Sequence, residues 1–171
     1  MKKKHLPFLF LFTILFASST LFSQSFSCKV DKDLFDGKVN NALLTNVGEV
    51  KYIQIHVVKN DKLMYLYLKE SLLNNETPIT LEYKEHNYEE GITPDAELVW
   101  APDGADRPQW HSVEGKAIVT SYNADEKTLS GTFEFIAEKA SYSSRPDRKK
   151  QTALITEGFF ENIRYTLMQD N

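Results

Sequence analysis

From Ser25 onward, apolar and polar side chains alternate with a period of two, and no window keeps a 3.6-residue period for three turns. Alternation of that kind builds strands with one buried face. Over 51–58, Ile53, Ile55 and Val57 share one side while Tyr52, Gln54 and His56 share the other, and the first set is the expected core face. Asn60 and Asp61 then make a turn into 62–69, which completes a hairpin. Both faces of that second strand are apolar: Met64, Leu66 and Leu68 oppose Leu63, Tyr65 and Tyr67. It is therefore either covered on both sides or carries an outer aromatic strip.

Short extended runs follow at 77–83 and 96–101, with a polar loop over 86–95 between them. The clearest hairpin joins 115–122 to 128–138 across 123–127. Leu129, Gly131, Phe133, Phe135 and Ala137 form its inner face, and Gly131 marks a bulge or a close backbone approach. A last pair, 151–156 and 159–168, is expected to turn at Glu157 and Gly158, with Phe159, Ile163, Tyr165 and Leu167 on one side. With the opening runs 26–31 and 39–44 the count is about nine strands of ordinary length. Consecutive hairpins without helical crossovers predict an all-β domain, an antiparallel β-sandwich or flattened barrel.

Residues 1–25 read differently. Lys2, Lys3 and Lys4 precede a run of Phe, Leu and Ile over 6–17, and small polar residues follow, which is the layout of a cleaved signal peptide. The apolar run is shorter than the roughly 20 residues a transmembrane helix needs. The sequence thus predicts a leader at 1–25 and one domain at 26–171, secreted or periplasmic. Ser23 with Ser25, or Ser25 with Ser27, supplies the small residues that signal peptidase requires. An alternative is a lipid anchor on Cys28, although Ser25, Phe26 and Ser27 depart from the Leu and the Gly or Ala that usually precede a lipidated cysteine.

Three further stretches bear on identity. Phe26-Ser27-Cys28-Lys29-Val30-Asp31 with Leu34-Phe35, Gly131-Thr132-Phe133-Glu134-Phe135-Ile136-Ala137, and Ile155-Thr156-Glu157-Gly158-Phe159-Phe160 stand near the start, middle and end of the mature chain. Together they resemble a domain-of-unknown-function family of exported proteins and lipoproteins of Bacteroidetes, with its F-x-C-K-V-D opening, G-T-F-x-F-x-A strand and I-T-x-G-x-F closing element. Lys32 stands where that family usually has Gly, and the upstream lipid cysteine of many members is absent. The resemblance implies that Cys28 belongs to the first strand and that the protein is free in the envelope or outside it. It implies no activity.

Charge and chemistry narrow the function classes further. Loss of Lys2, Lys3 and Lys4 with the leader takes the net charge from −4 to −7, which disfavours nucleic acid and anionic lipid as partners. Arg145, Arg148, Lys149 and Lys150 form a basic loop with no interleaved aromatic for base stacking. A single cysteine excludes an internal disulfide, so the core alone must hold the fold.

His56, His86 and His111 lack metal-ligand spacing; His56 is expected on a solvated strand face, and His111 could meet Glu114 locally. No nucleophile elbow or phosphate loop is present, so the chain is read as a non-enzyme without cofactor or metal. Asp103, Gly104 and Asp106 read as a plain turn. The candidate ligand-binding stretch is 100–110, where Trp100 and Trp110 flank Asp103, Asp106 and Arg107. It reads as a rim for an envelope glycan or protein, or as two tryptophans plugging one end of the core. Three functions stay open: a non-catalytic binding or scaffolding module at the cell envelope; a barrel carrying an apolar ligand among Leu66, Phe133, Phe135 and Tyr165; and an envelope hydrolase built on paired acids.

Overall fold

A computed structural model describes residues 23–74, 76–87, 90–140 and 150–167. Residues 1–22 of the leader expected over 1–25 and the basic residues Arg145, Arg148 and Lys149 lie outside the described residues. Eleven strands run in chain order: β1 Ser25–Val30, β2 Asp33–Asp36, β3 Lys38–Val47, β4 Val50–Lys59, β5 Lys62–Lys69, β6 Ile79–Glu82, β7 Ala96–Ala101, β8 Trp110–Asn123, β9 Thr128–Lys139, β10 Thr152–Arg164 and β11 Thr166–Leu167. The one helical element among the described residues is a three-residue 3₁₀ turn, Glu70–Leu72.

The strands form a single sheet in the order β11-β3-β4-β5-β7-β8-β9-β10-β1-β2, with β6 added to β8. All pairings are antiparallel except the two-residue match of β11 with β3. This curled sheet makes a half-barrel, the flattened-barrel form of the expected architecture. Only Gly37 separates β2, which pairs with β1, from β3, which pairs with β4. One bent run of chain therefore joins β2, at one end of the sheet, to β3, which only the two-residue β11 separates from the other end.

Local chemistry accounts for the hairpins. Asn60 takes a left-handed φ of 54° in the two-residue turn between the paired Lys59 and Lys62, a conformation that Asn tolerates better than most residues. At the β8–β9 turn the Asn123 side-chain oxygen accepts the Asp125 and Glu126 amides at 3.0 and 2.9 Å.

Inside the curl lies one continuous apolar cluster. Ile53, Ile55 and Val57 meet Met64, Leu66 and Leu68 there, together with Phe133, Phe135 and Ala137 from the far wall. The inner faces expected for β4 and β9 are all buried. Tyr52 is an exception on the other side of β4: it is also buried, and its hydroxyl donates to the Pro94 carbonyl at 2.8 Å.

The end of the chain differs from the expected hairpin. Residues 152–164 form one strand, and the register against β9 slips between Ile155 and Gly158 and again between Phe160 and Ile163. Glu157 and Asn162 occupy the left-handed region there, with φ of 50° and 52°. Each bulge adds a residue and reverses which parity points inward. The inward set is therefore Ala153, Ile155, Phe160, Ile163 and Tyr165, whereas Phe159 and Leu167, expected to share a face with Ile163 and Tyr165, are exposed.

Candidate functional site

The outer face of β4, β5, β7 and β8 is where ring systems and polar groups converge. Strand register sets the layout in two rows. Gln54 stands opposite Tyr67, which stands opposite Glu97. His56 stands opposite Tyr65, then Val99, then His111. Partners directly across a ladder share a face, so residues far apart in sequence become neighbours without any helix or loop to bring them there.

His86 and Gln109 enter from flanking segments, and Val47 closes one end. These residues, His56 apart, line with Tyr52 a groove of about 430 Å³, within the ~300–1,000 Å³ range of small-molecule sites. Glu97 sits half-buried on the floor. One of its carboxylate oxygens is 3.7 Å from His86 Nε2 and the other is 3.7 Å from His111 Nδ1. His111, which could have met Glu114 locally, pairs instead with Glu97 across β7 and β8.

Tyr67 accepts a hydrogen bond from Gln54 Nε2 at 3.0 Å and keeps its own proton, because burial, then Glu97 and Tyr65, push the phenol up to about 12. Its ring meets Tyr52 edge-on at 6.4 Å. His56 is half-buried rather than solvated: it stacks on Tyr65 at 4.6 Å with planes 12° apart, and desolvation lowers its pKa. The outer aromatic strip expected of Tyr65 and Tyr67 is thus present as one wall of the groove.

The segment carrying His86 is tied down by Asp95. This buried carboxylate is 2.6 Å from Lys84 Nζ and 3.8 Å from Lys69 Nζ, and its amide donates to the Glu82 carbonyl at 3.0 Å. Asn87 and Ile92 exchange both backbone hydrogen bonds beyond it, at 2.8 and 3.0 Å. Within the polar loop expected over 86–95, the described residues Asn87, Ile92 and Asp95 are thus held in place.

The residues singled out from sequence lie elsewhere. Trp100 and Trp110 face each other across β7 and β8 and both turn inward. Trp100 is 5% exposed and meets Phe35 edge-on at 5.0 Å; Trp110 packs at the margin of the core under Lys139, 5.7 Å from its ring centre. Asp103, Asp106 and Arg107 are exposed in the loop that follows β7, where the Arg107 amide donates to the Gly104 carbonyl at 3.4 Å. They do not join the tryptophans in a rim.

Cys28 is buried in β1, its Sγ 3.8 Å from Met64 Sδ, and burial pushes its thiol up to about 12. Among the described residues no group of three or more His, Cys, Asp or Glu is arranged to hold a metal ion. A second groove of about 470 Å³ lies over β8, β9 and β10 around Ile118, Thr132 and the exposed Phe159, but ion pairs of Lys116 with Glu134 at 3.3 Å and of Lys29 with Glu157 at 2.7 Å already engage its charged groups. Comparison with known proteins finds no matching family model, no matching curated protein and no matching solved structure.

Proposed function

We propose that the chain is an exported, non-catalytic binding module of the bacterial cell envelope, secreted or periplasmic, that engages its partner through the outer groove. The observation that carries the reading is the convergence of Tyr65, Tyr67, Gln54, Glu97, His86 and His111 on one preformed concavity of a rigid sheet. Three features of the sequence agree with export: the basic start, the apolar run 6–17 and the resemblance to exported Bacteroidetes proteins.

The other two readings find less support. A carrier needs Leu66, Phe133, Phe135 and Tyr165 around a cavity. All four belong to one buried cluster, and the Phe133 ring sits 5.1 Å from Phe26 and 6.4 Å from both Phe135 and Phe160. A glycoside hydrolase of the usual kind needs two carboxyls in one cleft, and among the described residues Glu97 is the one acid lining this groove. For Cys28, a lipidated terminus would require cleavage just before it. Such a cut would remove Phe26 from the core and draw out a buried sulfur.

The test is retention of the purified exported protein on isolated cell envelopes, with thermal shift against envelope glycans, lipids and metal salts. A ligand at about 100 times its dissociation constant stabilises by about 2.7 kcal/mol. Retention with a stabilising shift from at least one class is expected. No retention and no shift across all classes overturns the proposal.

A further inference from the structure

The chemistry of the groove narrows its ligand class, and this step rests on the binding-module reading above. We infer that the outer groove seats a neutral, polyhydroxylated ring, the end or an internal unit of a sugar chain, with a ring face against Tyr65 and Tyr67 and hydroxyls held by Glu97, His86 and His111.

Three observations converge on that class. Side chains with an apolar ring face stand beside planar groups that donate or accept hydrogen bonds in pairs, here a carboxylate, two imidazoles and the amides of Gln54 and Gln109. A sugar ring presents the same combination, C–H faces and a rim of hydroxyls. The 3.7 Å gaps on both sides of the Glu97 carboxylate are too long for direct hydrogen bonds, so both oxygens remain available to accept from hydroxyls.

Charge points the same way. Among the described residues neither Lys nor Arg lines the groove and Glu97 is its one carboxylate, so an acidic sugar or a phosphate would meet a negative charge that no described Lys or Arg offsets. A purely apolar ligand would strip water from Glu97 and leave it with nothing in exchange.

The floor, finally, argues against an extended peptide. β4, β5 and β7 are already paired with one another along the groove, so their backbone groups are consumed in the ladder and none is offered to an incoming strand. Recognition must come from side chains. Gln54, Tyr67 and Glu97 stand in one row across three strands spaced about 4.8 Å apart, so the polar contacts extend over about 10 Å. That span exceeds one six-membered ring and favours a linked unit over a free monosaccharide.

The exported full chain is titrated by calorimetry with cellobiose, chitobiose, lactose, maltose and glucuronic acid, and with a mixture of neutral tripeptides. Glu97→Gln keeps the shape of the floor and removes the charge, Tyr65→Ala removes part of the wall, and Phe159→Ser alters the other groove as a control. The expected result is binding of at least one neutral disaccharide in preference to glucuronic acid. Glu97→Gln should weaken it about 10-fold or more, the scale of a charge-assisted hydrogen bond, and Phe159→Ser should leave it unchanged.

Binding of a disaccharide that Glu97→Gln and Tyr65→Ala leave intact overturns the inference, as does tighter binding of glucuronic acid or of the tripeptides. Retention on isolated envelopes without affinity for any sugar overturns the inference while the binding-module reading stands. Absence of both overturns the two together. Circular dichroism of each variant confirms that a lost affinity is not a lost fold.

Discussion

Gly158 has no side chain because the Phe133 ring occupies that space. A Cβ at Gly158 would lie 2.5 to 2.6 Å from Cε2, Cδ2 and Cζ of Phe133, nearly an ångström closer than ordinary van der Waals contact. The backbone at Gly158 is not in the left-handed region, so the penalty for Gly158→Ala is steric and local. Overpacking of this kind costs about 1–3 kcal/mol.

All three close atoms belong to one side chain, so relief is specific: in the background Phe133→Leu, where the flat ring is gone, Gly158→Ala should cost much less. A double-mutant cycle should return a coupling of about 1–2 kcal/mol, with the double variant more stable than additivity predicts. Gly131→Ala is the contrast. Its Cβ would collide with the Ile118 carbonyl oxygen as well as with Phe160 Cζ at 2.5 Å, and no side-chain change moves a ladder carbonyl. Phe160→Leu should therefore not restore Gly131→Ala. Urea unfolding followed by circular dichroism gives each stability from midpoint and slope. Additive costs for Gly158→Ala and Phe133→Leu, or a stability of Gly158→Ala equal to the parent, would refute the account of how β9 and β10 pack.

Four further outcomes are expected. The Cys28 thiol, buried and held near pKa 12, should resist a disulfide-exchange reagent in the native protein and react fully in denaturant; rapid labelling of the folded chain would contradict its place in the core. The mature amino terminus should fall at or before Phe26, because Phe26 is 3% exposed and packs on Phe133; intact-mass measurement of the exported protein checks this, and a terminus at Cys28 would count against it. Burial holds His56 below its usual 6.5, so the unfolded chain takes up its proton more readily than the native one. The stability His56 contributes is whole above about pH 6.5 and drains away as the pH falls toward the depressed native value, and His56→Gln should flatten the acid limb of a melting-temperature profile relative to the parent. Asp95→Asn should loosen the segment carrying His86, read as faster hydrogen exchange at Asn87 and Ile92 with the β9 and β10 amides unchanged.

How far the fold was legible follows from what a period-two pattern contains. Ile53, Ile55 and Val57 could be placed inside because nothing interrupts the alternation along β4. The pattern failed at β10, where two extra residues shift the phase. Glu157 next to Gly158 looks like a turn, and a left-handed residue serves a bulge as well as a hairpin. Only the partner strand decides between them, because Phe135 and Phe133 in β9 oppose Ile155 and Gly158 across the slip. The short β2 and β11 carry too few residues to show a period at all.

The groove was hidden for a related reason. Its acid and its two imidazoles come from Glu97, His86 and His111, on three separate segments that nothing in sequence spacing connects; register alone sets Glu97 beside Tyr67 and His111 beside Val99. One signal did point to it. β5 is apolar on both faces, and a strand in a single curled sheet has only one core to face, so Tyr65 and Tyr67 must cover something other than the interior. The tryptophans drew attention by size and by their acidic surroundings, yet large rings are the most valuable residues for filling the end of a sheet that closes imperfectly. Half-buried tyrosines on the outer face of a strand whose inner face is fully apolar are therefore the better mark of the binding surface proposed for this chain.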